Sequence, residues 1–139
     1  MTFLYRALCL FQGLYFTVMG IWPLISIRTF QMVTGPKTDH IPTGLEADHW
    51  LVNTVAVLIV AIGVTLLSFA RHRGLAEAAI LAIGSAAGLT AIDVIYVSRR
   101  VIAPIYLADA AIEIVLIVLW LMWSLAHARK PSPVTGHQG

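Results

Sequence analysis

The stretch AIDVIYVSRRVIAPIYLADAAIEIV, residues 91–115, is mostly Ile, Val, Leu and Ala, yet it contains the acids Asp93, Asp109 and Glu113. Two apolar runs lie on either side of a short centre at 98–103. This pattern predicts two helices joined by a tight turn, and short connections make neighbouring helices antiparallel. The acids need an explanation, because burying an unpaired carboxylate costs free energy.

The composition of the whole chain indicates a membrane protein. The 139 residues are 59% hydrophobic and 12% charged, and the mean hydropathy is +0.86. Soluble domains contain about 25% charged residues. A spanning helix needs about 20 apolar residues, so the length allows four spans and no separate soluble domain. The net charge of +2, with basic residues at segment ends, argues against nucleic acid as a partner. The lipid bilayer is the expected partner.

Four apolar segments account for most of the chain. Backbone polar groups inside a bilayer must bond to one another, so each segment is predicted to be a helix. We therefore predict an all-α fold, an antiparallel bundle of four transmembrane helices that forms a single domain over 1–128. Pro23 is expected to bend or end the first helix. The predicted helices cover about 4–27, 51–70, 76–97 and 104–126, with a long extracytoplasmic loop at 28–50 and a disordered tail at 129–139.

The distribution of Lys and Arg predicts the orientation of the helices. Five basic residues lie on the side of the two termini and four on the opposite side. This bias favours cytoplasmic termini, and insertion in both orientations remains an alternative. The first group is Arg6, Arg71, Arg73, Arg129 and Lys130, and the second is Arg28, Lys37, Arg99 and Arg100.

The third predicted helix contains a GxxxG motif, formed by Gly84 and Gly88. Small residues at this spacing let two helix backbones approach closely. We expect these glycines to pack inside the bundle. The alternative is that they form the interface of a homo-oligomer.

The three acids are predicted to meet in one half of the bilayer. Counted from the turn at 1.5 Å per residue, Asp93 lies about 6 Å deep and Asp109 about 7–8 Å deep. Glu113 lies one turn further in, about 13–14 Å deep and near the midplane, on the same helix face as Asp109. Polar and aromatic residues from the other helix ends are expected at the same level. The predicted pocket is formed by Asp93, Asp109, Glu113, Asn53, Tyr106, Tyr96, Trp22 and Arg28.

Several of these residues also have an ordinary structural interpretation. Asp93 could form an ion pair with Arg99 or Arg28. The tyrosines and Trp22 suit an aromatic belt at the membrane surface. Asn53 suits a hydrogen bond between helices. Asp109 and Glu113 are harder to explain in this way, because two acids one turn apart destabilise a helix.

Ionisable residues inside a membrane are functional by default. We therefore predict a pocket that binds a small amphipathic or cationic molecule. A second hypothesis is an oligomeric proton-coupled transporter, with Glu113 holding the proton because burial and a neighbouring acid favour its neutral form. A third is a non-catalytic subunit whose acids dock a basic helix of another membrane protein.

Whether the protein is an enzyme remains open at this stage. Acid–base chemistry is compatible with paired carboxylates. Nucleophilic catalysis has no support, because Cys9 is predicted in the opposite half of the bilayer. No cofactor is expected. No metal is expected either, since no ligand spacing supports a hard-cation site at the three acids.

Two groups of segments resemble an uncharacterised family of small four-helix bacterial integral membrane proteins. The first group is GIWPL at 20–24, TGPKTD at 34–39 and WLVNTV at 50–55, and the second is AIDVIYV at 91–97 and IAPIYLADAAIE at 102–113. The resemblance implies the four-helix fold and a bacterial inner-membrane location, and it implies no activity. In this chain HIPTGLEADH, 40–49, separates the TGPKTD and WLV segments, which run almost directly together in the family. A fainter likeness, of architecture alone, is to four-helix sterol-isomerase-type proteins, which also place acids in a membrane pocket.

Overall fold

The structure is a computed structural model that describes residues 2–35, 49–71 and 75–128. Every regular element in these ranges is a helix. Four of the helices are long and apolar enough to cross a membrane, which indicates a multi-pass membrane protein. Their ends lie within two residues of the predicted bounds. The helices are α1 (Thr2–Ile25), α2 (Ile27–Thr34), α3 (His49–Phe69), α4 (Leu75–Ser98) and α5 (Tyr106–Ala128).

The short helix α2 lies where the sequence predicted the start of a loop, so that part of the prediction is wrong. α1 ends two residues after Pro23. Ser26 then caps α2, because its side chain accepts a hydrogen bond from the backbone N–H of Thr29 at 3.4 Å. Gly35 ends α2 with a φ of 82°, a conformation that favours glycine. The rest of the predicted loop, 36–48, and the predicted tail, 129–139, lie outside the described residues.

α1 packs most extensively against α3, and glycines make this close contact possible. A Cβ atom built on Gly13 would lie 2.9 Å from the carbonyl oxygen of Gly63, and one built on Gly20 would lie 2.7 Å from that of Ala56. Both distances are shorter than carbon–oxygen contacts in proteins. Only glycine therefore allows these backbones to touch, as in other close helix pairs in membranes.

The GxxxG motif on α4 does not make such a contact. A Cβ built on Gly84 or Gly88 would meet no described atom within 4 Å. The prediction that these two glycines pack inside the bundle is therefore wrong. The motif was chosen by its spacing, but neither glycine lies close enough to a described residue of another helix to make a packing contact. The homo-oligomer alternative remains a prediction.

α4 packs mainly against α5, and the buried side chain of Gln12 joins this pair to α1. Its amide nitrogen donates to the carbonyl oxygen of Ala82, on α4, at 2.9 Å. Its amide oxygen accepts a hydrogen bond from Nε1 of Trp120, on α5, at 2.8 Å. One side chain thus connects three helices, and its polar groups are satisfied where water is absent.

Candidate functional site

The connection between α4 and α5 brings Asp93 on α4 to the same end of the helix pair as Asp109 and Glu113 on α5. Arg100 adopts the left-handed conformation, with a φ of 57°. Its N–H donates to the carbonyl oxygen of Val97, and the N–H of Val101 donates to that of Tyr96, each at 2.9 Å. These bonds form the Schellman motif that ends many helices. The chain then reverses within a few residues and enters α5 at Tyr106.

Asp93, Asp109 and Glu113 converge between the helices and form what we call the acid site. One oxygen atom from each carboxyl group lies within 4.8 Å of the other two. Glu113 is 0% exposed and Asp93 is 7% exposed, whereas Asp109 is only half-buried. The predicted meeting of the three acids is therefore present, and Asp109 is the member most open to the surroundings.

Two hydroxyl groups orient the acid site. Tyr15, on α1, donates a hydrogen bond to Oδ1 of Asp109. Thr90, on α4, donates to Oε2 of Glu113 at 3.0 Å. Each hydroxyl gives one carboxyl oxygen a hydrogen-bond donor and so restricts the orientation of that side chain. Three helices thus contribute to the site.

The second oxygen of Glu113, Oε1, is buried and accepts no hydrogen bond from any described residue. Buried polar atoms nearly always have a partner, so such an atom needs an explanation. The same carboxyl group lies beside two further acids, whose negative charges repel its own. The arrangement therefore needs a proton or a bound positive charge for its stability.

The other predicted pocket residues have varied positions. Trp22 donates its indole N–H to Oγ1 of Thr29 at 3.1 Å and packs edge-on against Phe30, so it stabilises the corner between α1 and α2. Arg28 and Tyr96 are exposed. Asn53 is half-buried, and its Oδ1 has no hydrogen-bond partner among the described residues. Tyr106 is half-buried one turn before Asp109.

Sequence reasoning missed Tyr15 as a site residue. α1 ends at Ile25, so Tyr15 lies about 15 Å from that end at 1.5 Å per residue, near the depth expected for Glu113. A depth count along the first helix would have placed it there. The sequence does not indicate how α1 is rotated about its axis, and that rotation turns Tyr15 toward α5.

A cavity of about 610 Å³ lies at the opposite ends of α4 and α5 from the acid site. Its walls are almost wholly apolar, and no acid is among the described residues that line it. The residues include Ile80, Gly84, Leu121, Trp123 and His127. This cavity is distinct from the predicted acid-lined pocket.

Comparison of the chain with protein-family models, curated proteins and solved structures gives no match. The chemistry of the acid site is therefore argued from its own residues.

Proposed function

We propose that the four long helices form an antiparallel bundle in a bacterial inner membrane, with both termini in the cytoplasm. The α1–α3 contacts support the antiparallel arrangement. Gly13 lies beside Gly63 while Gly20 lies beside Ala56, so the two helices run in opposite directions. The short 99–105 connection supports it for α4 and α5. The Lys and Arg bias supports the orientation.

We further propose that the protein binds a small ligand that carries positive charge, at the acid site. The observation that carries this proposal is the convergence of three carboxyl groups within 4.8 Å inside apolar helices. Carboxylates this close repel one another, and a bound positive charge would relieve that repulsion. The half-buried Asp109 offers the way in. An amphipathic molecule with a cationic group and a metal ion are two carriers of that charge.

Native mass spectrometry of the gently solubilised protein tests this proposal. We expect the wild type to carry a bound mass that the double variant Asp109→Asn, Glu113→Gln has lost. Glu77→Gln is the matched control, because Glu77 is an exposed acid at the start of α4, far from the acid site. Its spectrum should equal that of the wild type. Identical bound masses on wild type and double variant would show that the acid site is not the binding site.

Proton-coupled transport is a second candidate, favoured by the burial of Glu113. A carboxyl group with 0% exposure and an unbonded Oε1 could hold a proton away from water. This candidate predicts that Glu113→Gln abolishes proton uptake in liposomes while the protein binds no other cation. If the variant transports protons as the wild type does, Glu113 is not the carrier.

The docking-subunit hypothesis has weaker support. It requires an acidic stripe on the outer surface that meets a basic helix of another protein. Asp93 and Glu113 are both buried within the chain itself, so only Asp109 has a part of its surface available.

A further inference from the structure

We propose that the positive charge at the acid site is a hard divalent metal ion of the Ca²⁺ type, bound directly by Asp93, Asp109 and Glu113. The inference rests on the proposed function in one respect, namely that the acid site takes a cation. It goes further by naming the cation's class, and it departs from the expectation of no metal. Four features of the site carry the argument.

The first feature is the spacing of the oxygen atoms. Three points that lie within 4.8 Å of one another share a point that is at most about 2.8 Å from each, which is 4.8 Å divided by the square root of three. Ca²⁺ binds oxygen at about 2.3–2.6 Å. The three carboxyl groups therefore need to move inward by only a few tenths of an ångström to bind one ion together.

The second feature is the burial of Glu113, which favours a metal ion over an ammonium group as the ligand. Oε1 of Glu113 is buried from water and has no hydrogen-bond partner among the described residues. An ammonium nitrogen is similar in size to a water molecule and sits about 2.8 Å from its acceptor. A bare metal ion binds closer than that. A metal ion beside Oε1 would give this buried atom the partner it lacks, and it would need less room than an ammonium group.

The third feature is the chemistry of the donors. All three are carboxylate oxygens, and hard cations such as Ca²⁺ and Mg²⁺ prefer such ligands. Tyr15 and Thr90 donate hydrogen bonds to one oxygen each of two of them, Oδ1 of Asp109 and Oε2 of Glu113. Partners of this kind orient metal-binding side chains in other proteins. Here they hold Asp109 and Glu113 without occupying Oε1.

The fourth feature is the balance of charge. An ion bound by all three groups as carboxylates meets three negative charges, of which a monovalent ion neutralises one and a divalent ion two. Ca²⁺ also tolerates irregular geometry, whereas Mg²⁺ requires a near-ideal octahedron and retains several waters. Ca²⁺ takes about 6–8 oxygen ligands, so bidentate carboxylates and water entering beside the half-buried Asp109 would complete its shell. These facts favour Ca²⁺ over Mg²⁺.

The test uses the full-length protein in detergent, freed of metals with a chelator. Ca²⁺ is added in steps while thermal unfolding is followed, and Tb³⁺ luminescence excited through the protein's aromatic rings reports the ion directly. Tyr15 is bonded to Asp109, so a bound Tb³⁺ would lie beside its ring. We expect saturable binding that Ca²⁺ competes away, an increase in Tm with Ca²⁺, and a smaller effect of Mg²⁺ at equal concentration.

The variants make the test specific to the acid site. Glu113→Gln keeps the shape of the side chain and removes its charge, and it should weaken Ca²⁺ binding at least tenfold. Without Ca²⁺ this variant should unfold at the same Tm as the wild type or higher, because repulsion is relieved, which shows that it folds. Glu77→Gln should bind Ca²⁺ as the wild type does. Equal Ca²⁺ effects on wild type and Glu113→Gln would overturn the proposal.

A parallel titration with a primary alkylamine separates this inference from the proposed function. If the amine raises the Tm of the wild type but not of Glu113→Gln, while Ca²⁺ has no effect, the metal proposal is wrong and the proposed function stands. If neither cation acts, both are wrong, and the acids then hold protons.

Discussion

The phenol of Tyr15 on α1 donates a hydrogen bond to Oδ1 of Asp109 on α5, although 94 positions separate the two residues along the chain. This bond links the α1–α3 pair to the α4–α5 pair at the level of the acid site. It also gives one of three crowded carboxyl groups a donor where water is scarce. The stability of the fold and the properties of the acid site are therefore coupled through it.

Tyr15→Phe should destabilise the protein. Losing a hydrogen bond to an acid costs about 1–3 kcal/mol in the free energy of unfolding. Unfolding by increasing SDS in mixed micelles measures this cost. Tyr96→Phe is the matched control, because Tyr96 is 38% exposed, and it should change the free energy by less than about 0.5 kcal/mol. Equal effects of the two substitutions would contradict the assigned bond.

Thr90→Val should destabilise the protein for a related reason. The substitution keeps the side-chain shape and removes the donor to Oε2 of Glu113. A buried acceptor left without a partner costs about 1–3 kcal/mol. Thr65→Val is the control. It removes an exposed hydrogen bond to the carbonyl oxygen of Ala61 in the same helix, so the free energy of unfolding should change little. If both valine variants have the wild-type Tm, Thr90 has no role at the acid site.

The glycines of α1 and α3 should tolerate no side chain. In Gly63→Ala the new methyl group would lie 2.7 Å from the carbonyl oxygen of Gly13, so α1 and α3 must separate. Overpacking of this kind costs about 1–3 kcal/mol. Gly84→Ala is the control, since its methyl group meets no described atom, and its higher helix propensity is worth up to about 1 kcal/mol.

The two substitutions should therefore change stability in opposite directions: Gly63→Ala should lower it and Gly84→Ala should raise it. Thermal unfolding of purified protein measures the difference. A loss of stability in Gly84→Ala would instead point to a second copy packed on that face of α4, and the oligomeric state of that variant would then be measured.

Gln12 and Trp120 should be energetically coupled. Gln12→Leu leaves the indole N–H of Trp120 without its acceptor, and Trp120→Phe leaves the amide oxygen of Gln12 without its donor. The two losses overlap, so the double variant should be more stable than the sum of the single effects indicates, by about 0.5–2 kcal/mol. A double-mutant cycle gives this coupling energy directly. A value of zero would show that the bond contributes no net stability.

Arg100→Gly should stabilise the α4–α5 connection. Arg100 has a φ of 57°, and the left-handed conformation costs a non-glycine residue about 1–2 kcal/mol. Glycine removes this strain, although it raises the entropy of the unfolded chain, so a net gain of about 0.5–1 kcal/mol is expected. The neighbouring Arg99 has no positive φ, and Arg99→Gly should reduce the Tm. A lower Tm for Arg100→Gly would show that its side chain contributes more than its backbone strain costs.

Much of the helical architecture followed from local rules. The predicted helices needed only runs of about 20 apolar residues and the requirement that backbone groups bond to one another in lipid. The depth of the acids needed only the 1.5 Å rise of a helix, counted from the turn at 98–103. The three carboxyl groups lie close together in the structure, and their depth in the bilayer stays a prediction. The short helix α2 was missed, because the prediction rested on apolar runs long enough to span a membrane and α2 has only 8 residues.

The contacts between helices could not be read in the same way. Gly84 and Gly88 have the packing motif, yet Gly13, Gly20 and Gly63 make the close contact. Nearly every face of these helices is apolar, so hydrophobic pattern does not indicate which face meets a neighbour. Trp22 was predicted as a pocket residue, and the sequence did not indicate that it bonds to Thr29 across the α1–α2 corner.

The sequence alone predicted four long apolar helices, with Asp93 and Asp109 at one level and Glu113 one turn further in, because helix length and rise depend on neighbouring residues only. The tertiary structure alone decided that Tyr15 and Thr90 hold two of these acids and that Oε1 of Glu113 is enclosed without a partner. Those facts depend on how each helix is rotated about its axis. That rotation is set by the packing of side chains from distant parts of the chain.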